Sequence, residues 1–489
     1  MPLNPDLPIP LYFQLKTFLI EEILRGTYKP GDRLPTEHEL CAEHGISRTP
    51  IARALSELAE EGVVLRTRGK GTFVNPHWAR RDGQQAEIRV VVPAEGPWDK
   101  IVDQGLAAVT PVNLAVVPRT ELHHVLTHAV AEGQAPDLAV LDSVWVPEFA
   151  AAGFLHALED VDSDWIEGEY ESDFLEPLIP STRYRGKTYG VPAYAVVAGL
   201  WYRRSELSSR DLEPPRTWTE LLEVARTIRS EKGSPPLALP AGSRGGETTT
   251  YCLTGVLASN RASILDESAV VLDSPAAVEA LQFLKVLIDE GVVAREAVSY
   301  EWNRPIRMLA NGDVAICLGG SYEVSDLAAS MKVDVHRVNE EFGFVAIPAG
   351  PRGMPASVTG TMVYAIFRQA PDPKRAMKLL EGLVKSEVLT EIARTTGRIP
   401  PRRSALRRAS AFSPFVKMTG EILESAVGRP ATPLYPRVSA QLASMLEAVV
   451  TGRHEPEIAV ERTAEMIGAI TGLPVLRQPG YIPRATPIG

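Results

Sequence analysis

Cysteine is nearly absent from this chain. Cys41, Cys252 and Cys317 are its three, isolated from one another and in no metal-ligand spacing, which argues against a disulfide-stapled scaffold or a zinc module. They read as small buried hydrophobes in a reducing compartment. Long apolar runs are missing as well: no window approaches about eighteen uninterrupted apolar residues, the length a membrane helix needs. The opening MPLNPDLPIPLYF has no basic segment ahead of an apolar core, so no secretory signal is expected. Catalytic signatures are lacking. GxSxG, HExxH and CxxC do not occur, and the glycine-rich GSRGGETTTY at 242–251 lacks the ending of a phosphate loop. His124 and His128 stand one helical turn apart and read as exposed polar groups rather than metal ligands. The expectation is a cytoplasmic, non-enzymatic protein with no cofactor and no metal.

What is present is enough chain for roughly two or three domains, with 45% hydrophobic and 23% charged residues over 489 positions. The net charge of −10 is unevenly spread. Residues 1–85 balance eleven basic against eleven acidic side chains, so the deficit lies downstream. Between 48 and 81, Arg48, Arg53, Arg66, Arg68, Lys70, Arg80 and Arg81 outnumber Glu57, Glu60 and Glu61. A local basic surface on an acidic body is compatible with phosphate contact.

The first eighty residues carry the clearest pattern. Leu11, Leu15, Phe18, Leu19 and Ile23 share one helical face, and Gly26 stops that helix. Thr36 with Glu39 is a capping-box pair that opens a second helix ending near His44-Gly45. Ser47 can cap a third, in which Leu55 and Leu58 face inward, Pro50 is tolerated in the first turn, and Gly62 closes. A basic hairpin with a Gly-Lys-Gly tip follows. This is the pattern of a winged helix-turn-helix, an α+β unit that sets one helix in the DNA major groove. PLYFQL near the start, GDRLPTE at 31–37, ISRTPIARAL at 46–55 and RGKGTFV at 68–74 resemble the GntR family of bacterial transcription regulators. The resemblance implies a homodimer on double-stranded operator DNA. Arg48 and Thr49 would approach bases or phosphates, Arg33 the backbone, and Gly69, Lys70 and Gly71 the minor groove, with Arg68 beside them. Many relatives carry Arg where this chain has Ala52. Here Arg53 stands one residue on, about 100° further round the helix.

Residues 77–87 are polar and without period, a linker. From Ile88, short β-branched runs alternate with helical stretches, the signature of a mostly parallel sheet. Further segments carry a second resemblance: PDLAVLDSVWVPEFAAAGFLHALED at 136–160, YRGKTYGVPAYAVVAGLWYRRSEL at 184–207, PPRTWTELLEVAR at 214–226, ANGDVAICLGGSYE at 310–323, TGTMVYAIFR at 359–368, GRIPPRRSAL at 397–406 and TPLYPRVSAQL at 432–442. In this order they resemble the extracellular solute-binding proteins of ABC importers, family 1, the maltose type. That resemblance implies a two-lobed α/β fold of periplasmic-binding-protein type II over 88–489. Lobe one would take about 88–198 and 345–398, and lobe two about 199–344 and 399–475. Crossings would fall near Ala198–Tyr202, Phe344–Pro348 and Ile399.

Sugars are held by aromatic faces and planar polar groups, and strand-end loops would supply them. The candidates are Asp142, Ser143 and Trp145 after one strand; Tyr194; Gly320, Ser321, Tyr322 and Glu323 after the buried VAICL run; Gly360 and Thr361; Arg398 at the third crossing; and Tyr435. Glu247 can face the same cleft, and Trp302 can either line the second lobe or pack beneath it. The expected function is a DNA-binding regulator, residues 1–76, whose operator affinity is set by a sugar or oligosaccharide bound between the lobes. The alternative is the solute-binding receptor of an ABC importer.

Overall fold

The computed structural model describes residues 3–67, 69–78, 87–94, 98 and 111–477. The head begins with α1 (Leu11–Arg25), which buries Leu15, Leu19, Ile20 and Ile23 and ends at Gly26, φ 82°. α2 (Glu37–His44) starts with a closed capping box: Thr36 Oγ1 accepts from the Glu39 amide at 3.2 Å, and Glu39 Oε2 accepts from the Thr36 amide at 2.6 Å. These two bonds satisfy donors the first turn leaves open. Gly45, φ 66°, turns the chain into α3 (Arg48–Glu60). Ser47 holds the N-cap position, but its side chain makes no capping bond. Ile51, Ala54, Leu55 and Leu58 pack inward against α1 and Leu40. The antiparallel hairpin of β1 (Val64–Thr67) and β2 (Gly71–Val74) closes the unit, with Thr67 opposite Gly71. The head is a winged helix-turn-helix.

The body is organised on one eight-stranded sheet. β3 (Ile88–Pro93) lies parallel between β4 (Val112–Val117) and β5 (Leu138–Asp142). The crossing strand is β6 (Val191–Arg203), whose residues are buried from Val191 through Tyr202. Residues 191–197 of β6 pair with β10 (Thr359–Ile366), which in turn pairs with β5. From Ala198 onward β6 pairs instead with β8 (Ile316–Gly320) and β9 (Phe342–Val345). β7 (Leu237–Ala238) runs parallel to β8 on its far side. A third link joins Ala195 to Ile399, where the Ala195 amide donates to the Ile399 carbonyl at 2.8 Å. Gly199 sits where β6 changes partners. A Cβ there would stand 2.3 Å from Phe344 Cζ, so only glycine allows this approach. The result is a two-part α/β body joined by the crossing strand β6.

Head and body touch through α1 and the residues just before it. Leu7, Ile9 and Phe13 join the body's hydrophobic core, and the Phe13 ring lies 6.0 Å from that of His128 on α4 (Arg119–Ala131). Glu21, 8% exposed, faces Arg25 at 3.0 Å and Arg368 of the body at 3.7 Å. Burial outweighs the nearby cation and pushes its carboxyl up to about 7. Arg437 donates to the Leu7 carbonyl at 3.5 Å. Most of the expected linker lies outside the described residues.

Candidate ligand cavity and nucleic-acid interface

On the head, α2, the first turn of α3 and the wing enclose a groove lined by Arg33, Arg48, Arg66, Gly69, Lys70 and Gly71. Glu37 organises it. One carboxylate oxygen takes Arg48 Nε at 2.7 Å and the other takes Arg66 Nη2 at 2.8 Å. The bond from Arg48 outweighs desolvation and holds the Glu37 carboxyl below its ordinary range. Arg48 remains 80% exposed on its side chain, at the N-terminal end of a helix where phosphate is favoured. Gly71, φ 122°, holds a backbone conformation that favours glycine. Thr49 is exposed on α3 but does not line this groove. Arg53 stands outside this groove. Its guanidinium lies 3.6 Å over the Tyr12 ring and its Nε donates to Glu57 at 2.9 Å, so the side chain is tied to α1 and its own helix rather than to the groove. Arg68 falls outside the described residues.

In the body, the ends of β5, β6 and β10 meet helices from both halves around a cavity of about 560 Å³. Asp142, Tyr194, Tyr322, Gly360, Thr361 and Arg398 line it, together with Glu247 and Trp302. Sequence reasoning passed over Arg119, Thr248, Tyr251, Asp326 and Arg429, which also form the wall. Arg119 opens the helix that follows a strand, a signal that could have been read. Arg429 lies in a loop with no pattern pointing to it.

Arg429 is the keystone of the wall. Its side chain, 5% exposed, reaches Asp142 at 3.2 Å and Glu247 at 2.7 Å, joining the end of β5 to the first residue of α5 (Glu247–Ser259). Burial opposes its charge, but Asp142 and then Tyr435 and Glu247 outweigh burial and hold the guanidinium above its ordinary range. Arg119 approaches the other Asp142 oxygen at 3.5 Å. Glu247 also accepts from the Tyr435 hydroxyl at 2.5 Å and from Ser439 Oγ at 2.7 Å. Tyr322 meets Thr248 across 3.4 Å, and burial raises its phenol well above the usual range. Aromatic faces and planar charged groups thus share one enclosed space, the combination that holds polyhydroxylated ligands.

Six candidates stand behind the wall instead of on it. Ser143 is buried at the turn after β5, and Trp145 packs on His123 with ring centroids 5.0 Å apart. Gly320 gives its amide to Glu323 at 3.0 Å and its carbonyl to Trp201 Nε1 at 2.9 Å, so both residues are spent on closing the strand end. Burial pushes the Glu323 carboxyl well up. Ser321 Oγ accepts from the Val197 amide at 3.1 Å. Tyr435 supports Glu247 from behind. Ser321 and Glu323 are polar because strand backbone groups need partners, which sequence position alone does not distinguish from ligand contact.

Residues 98–388 match the profile of the bacterial extracellular solute-binding proteins. The chain belongs to that family. Residues 11–74 match the bacterial regulatory proteins of the gntR family, so the head is a GntR domain. A putative binding protein of Brucella abortus (strain 2308) is 22% identical over 400 residues, 78% of this chain and 93% of its own length. An uncharacterized HTH-type transcriptional regulator of Bacillus subtilis (strain 168) is 42% identical over 80 residues, 16% of this chain and 33% of its own length. An ABC transporter solute-binding protein from Thermotoga lettingae, solved with alpha-D-tagatose, superposes with a TM-score of 0.70 at 25% identity, covering 79% of this chain and all of its own. Maltose-bound MalE3 of T. maritima gives 0.69 at 26% identity, covering 78% and 99%. This solute-binding chain therefore carries a regulator's DNA-binding head. Among the described residues no helix is long and apolar enough to cross a membrane.

Proposed function

We propose that this protein is a one-component transcription regulator that reads a sugar or oligosaccharide in the cleft of its body and answers through the operator affinity of its head. The observation that carries the reading is the joining of a walled, aromatic and charged cavity to a GntR head through α1, whose Phe13 and Glu21 pack on the half of the body that contains β5 and β10. In this reading residues 1–76 are the DNA-binding unit and 88–489 the sensor, with the lobes divided near Ala198. Two copies form a dimer in the cytoplasm and place Arg48, Arg33 and the Gly69–Gly71 tip on two half-sites. Sugar contacts come from Asp142, Tyr194, Tyr322, Gly360, Thr361 and Arg398, with Trp302 and Tyr251 adding aromatic faces. Closing the cleft moves one half of the body against the half that holds α1, and binding at the two sites must then be coupled reciprocally. The sugar-bound neighbours in the fold favour a carbohydrate over other solutes. The GntR head favours regulation over an importer's receptor, which has no use for DNA.

The test is operator binding with and without ligand. DNA upstream of the protein's own gene is titrated at two salt concentrations, in the presence and absence of sugars that raise the melting temperature. The reading requires a steep salt slope and a several-fold change in operator affinity on adding such a sugar. Binding without sequence preference, or an affinity indifferent to every stabilising sugar, refutes it.

A further inference from the structure

The charged groups of the cavity are not equally committed. Arg429 and Arg119 spend their charge on Asp142 and Glu247. Arg398 does not. It is 9% exposed, and its guanidinium lies 4.4 Å over the Tyr194 ring, yet Nε and Nη1 meet no hydrogen-bond partner among the described residues. Asp326 acts on it electrostatically, but no ion pair closes between them. The hydroxyls around it bond to backbone, and none accepts from Nε or Nη1 of the guanidinium. Ser325 donates to Thr396, Thr395 to Glu391 and Thr396 to Ile392. That end of the cavity therefore presents a desolvated, forked cation in need of acceptors. A buried donor left open is costly, and more so when it is charged. A carboxylate or phosphate answers a guanidinium fork with two parallel charge-assisted bonds, which a neutral sugar hydroxyl does not.

We propose that Arg398 anchors an anionic group on the sugar, a carboxylate or a phosphate, so that the body selects acidic over neutral sugars. The Tyr194 ring beneath the guanidinium fixes its plane, and Asp142, Glu247 and Arg429 line the wall for the ligand's hydroxyls. This rests on the sugar-sensing reading above and adds the class of sugar.

The experiment is calorimetric titration of the full chain with glucose and maltose as neutral sugars, glucuronate and gluconate as carboxylates, glucose 6-phosphate as a phosphate, and inorganic phosphate as a control. At least one acidic sugar is expected to bind about tenfold or more tighter than its neutral counterpart. Arg398→Gln is expected to weaken the acidic sugar by about tenfold to a hundredfold more than it weakens the neutral sugars. Arg398→Lys, which keeps the charge and loses the fork, falls between them and serves if the glutamine variant does not fold. Carboxylate and phosphate arms tell which anion is preferred. Equal affinity for glucose and its acids overturns the proposal and leaves the sugar reading intact, as does equal weakening of both by either variant. Inorganic phosphate binding as tightly as the sugar phosphate reduces the site to an adventitious anion pocket and also overturns it. No binding of any sugar, acidic or neutral, removes the underlying reading together with this one.

Discussion

Arg429 offers the sharpest test of how the cavity wall is held. Replacing it with methionine keeps most of the side chain's length and apolar stem but removes the charge that sits between Asp142 and Glu247. The two carboxylates lose different amounts. Asp142, 5% exposed, keeps Arg119 at 3.5 Å and the Val144 amide at 3.3 Å. Glu247, 26% exposed on its side chain, keeps Tyr435 and Ser439. Breaking a fully buried pair by removing one partner costs about 3–5 kcal/mol. With these remaining partners, and with Glu247 partly in water, about 2–3 kcal/mol is expected. Spread over a body of this length, where the unfolding entropy is about 2 cal/mol/K per residue, that corresponds to roughly 3 °C in melting temperature. A double variant decides whether the charge pair is the cause. Arg429→Met with Asp142→Asn leaves no buried carboxylate without its cation at that position, so it should recover part of the loss, giving a coupling of about 1–2 kcal/mol in a thermal or urea cycle. A melting temperature within about 1 °C of the parent for Arg429→Met, or strictly additive losses in the double variant, refutes the reasoning.

Other perturbations have equally definite outcomes. Arg48→Ala should weaken operator binding and lower the salt slope by about one, read by fluorescence anisotropy at several salt concentrations. Gly199→Ala forces a Cβ against Phe344 and the Val345 carbonyl, and a loss of about 3 kcal/mol or more is expected from chemical denaturation, above the usual range for overpacking because backbone is met. Glu21 sets a pH dependence. Its folded carboxyl titrates at about 7 against an ordinary value of 4.5, so the folded state binds the proton more tightly than the unfolded state does. Stability is therefore highest below about 4.5 as far as this group is concerned, falls as pH rises toward about 7, and is flat above, a loss of roughly 3 kcal/mol. Glu21→Gln should flatten that slope in denaturation measured between pH 5 and 8, and an unchanged slope refutes the assignment.

The head was legible in the sequence because its information is local. The Thr36–Glu39 box, Gly26, Gly45 and the Gly69–Gly71 tip are short-range devices, each readable within four residues. Arg48 could be placed by the same logic. Arg53 could not, because what claims it is Tyr12, a residue of another helix. In the body, alternation of strands and helices indicated the α/β class but not the strand directions, since four of the sheet's seven pairings are antiparallel instead of mostly parallel. Strand-end position also brought Asp142, Tyr194, Tyr322 and Thr361 to notice, since open α/β sheets place ligands beyond strand ends. The same rule nominated Ser321, Gly320 and Glu323, which the structure spends on closing the strand end.

By itself, then, the sequence determined the elements, their order and the residue types available for recognition, because hydrophobic period and capping chemistry act over a few residues. Only the tertiary structure decided which polar side chains face the cavity and which are consumed behind it. Arg429 meets Asp142 across 287 positions and Glu247 across 182, and Arg398 is left with open donors because the fold brings no acceptor onto its Nε or Nη1. Partners that far apart in the chain leave no local pattern, so their commitment is fixed only when the strands and lobes come together.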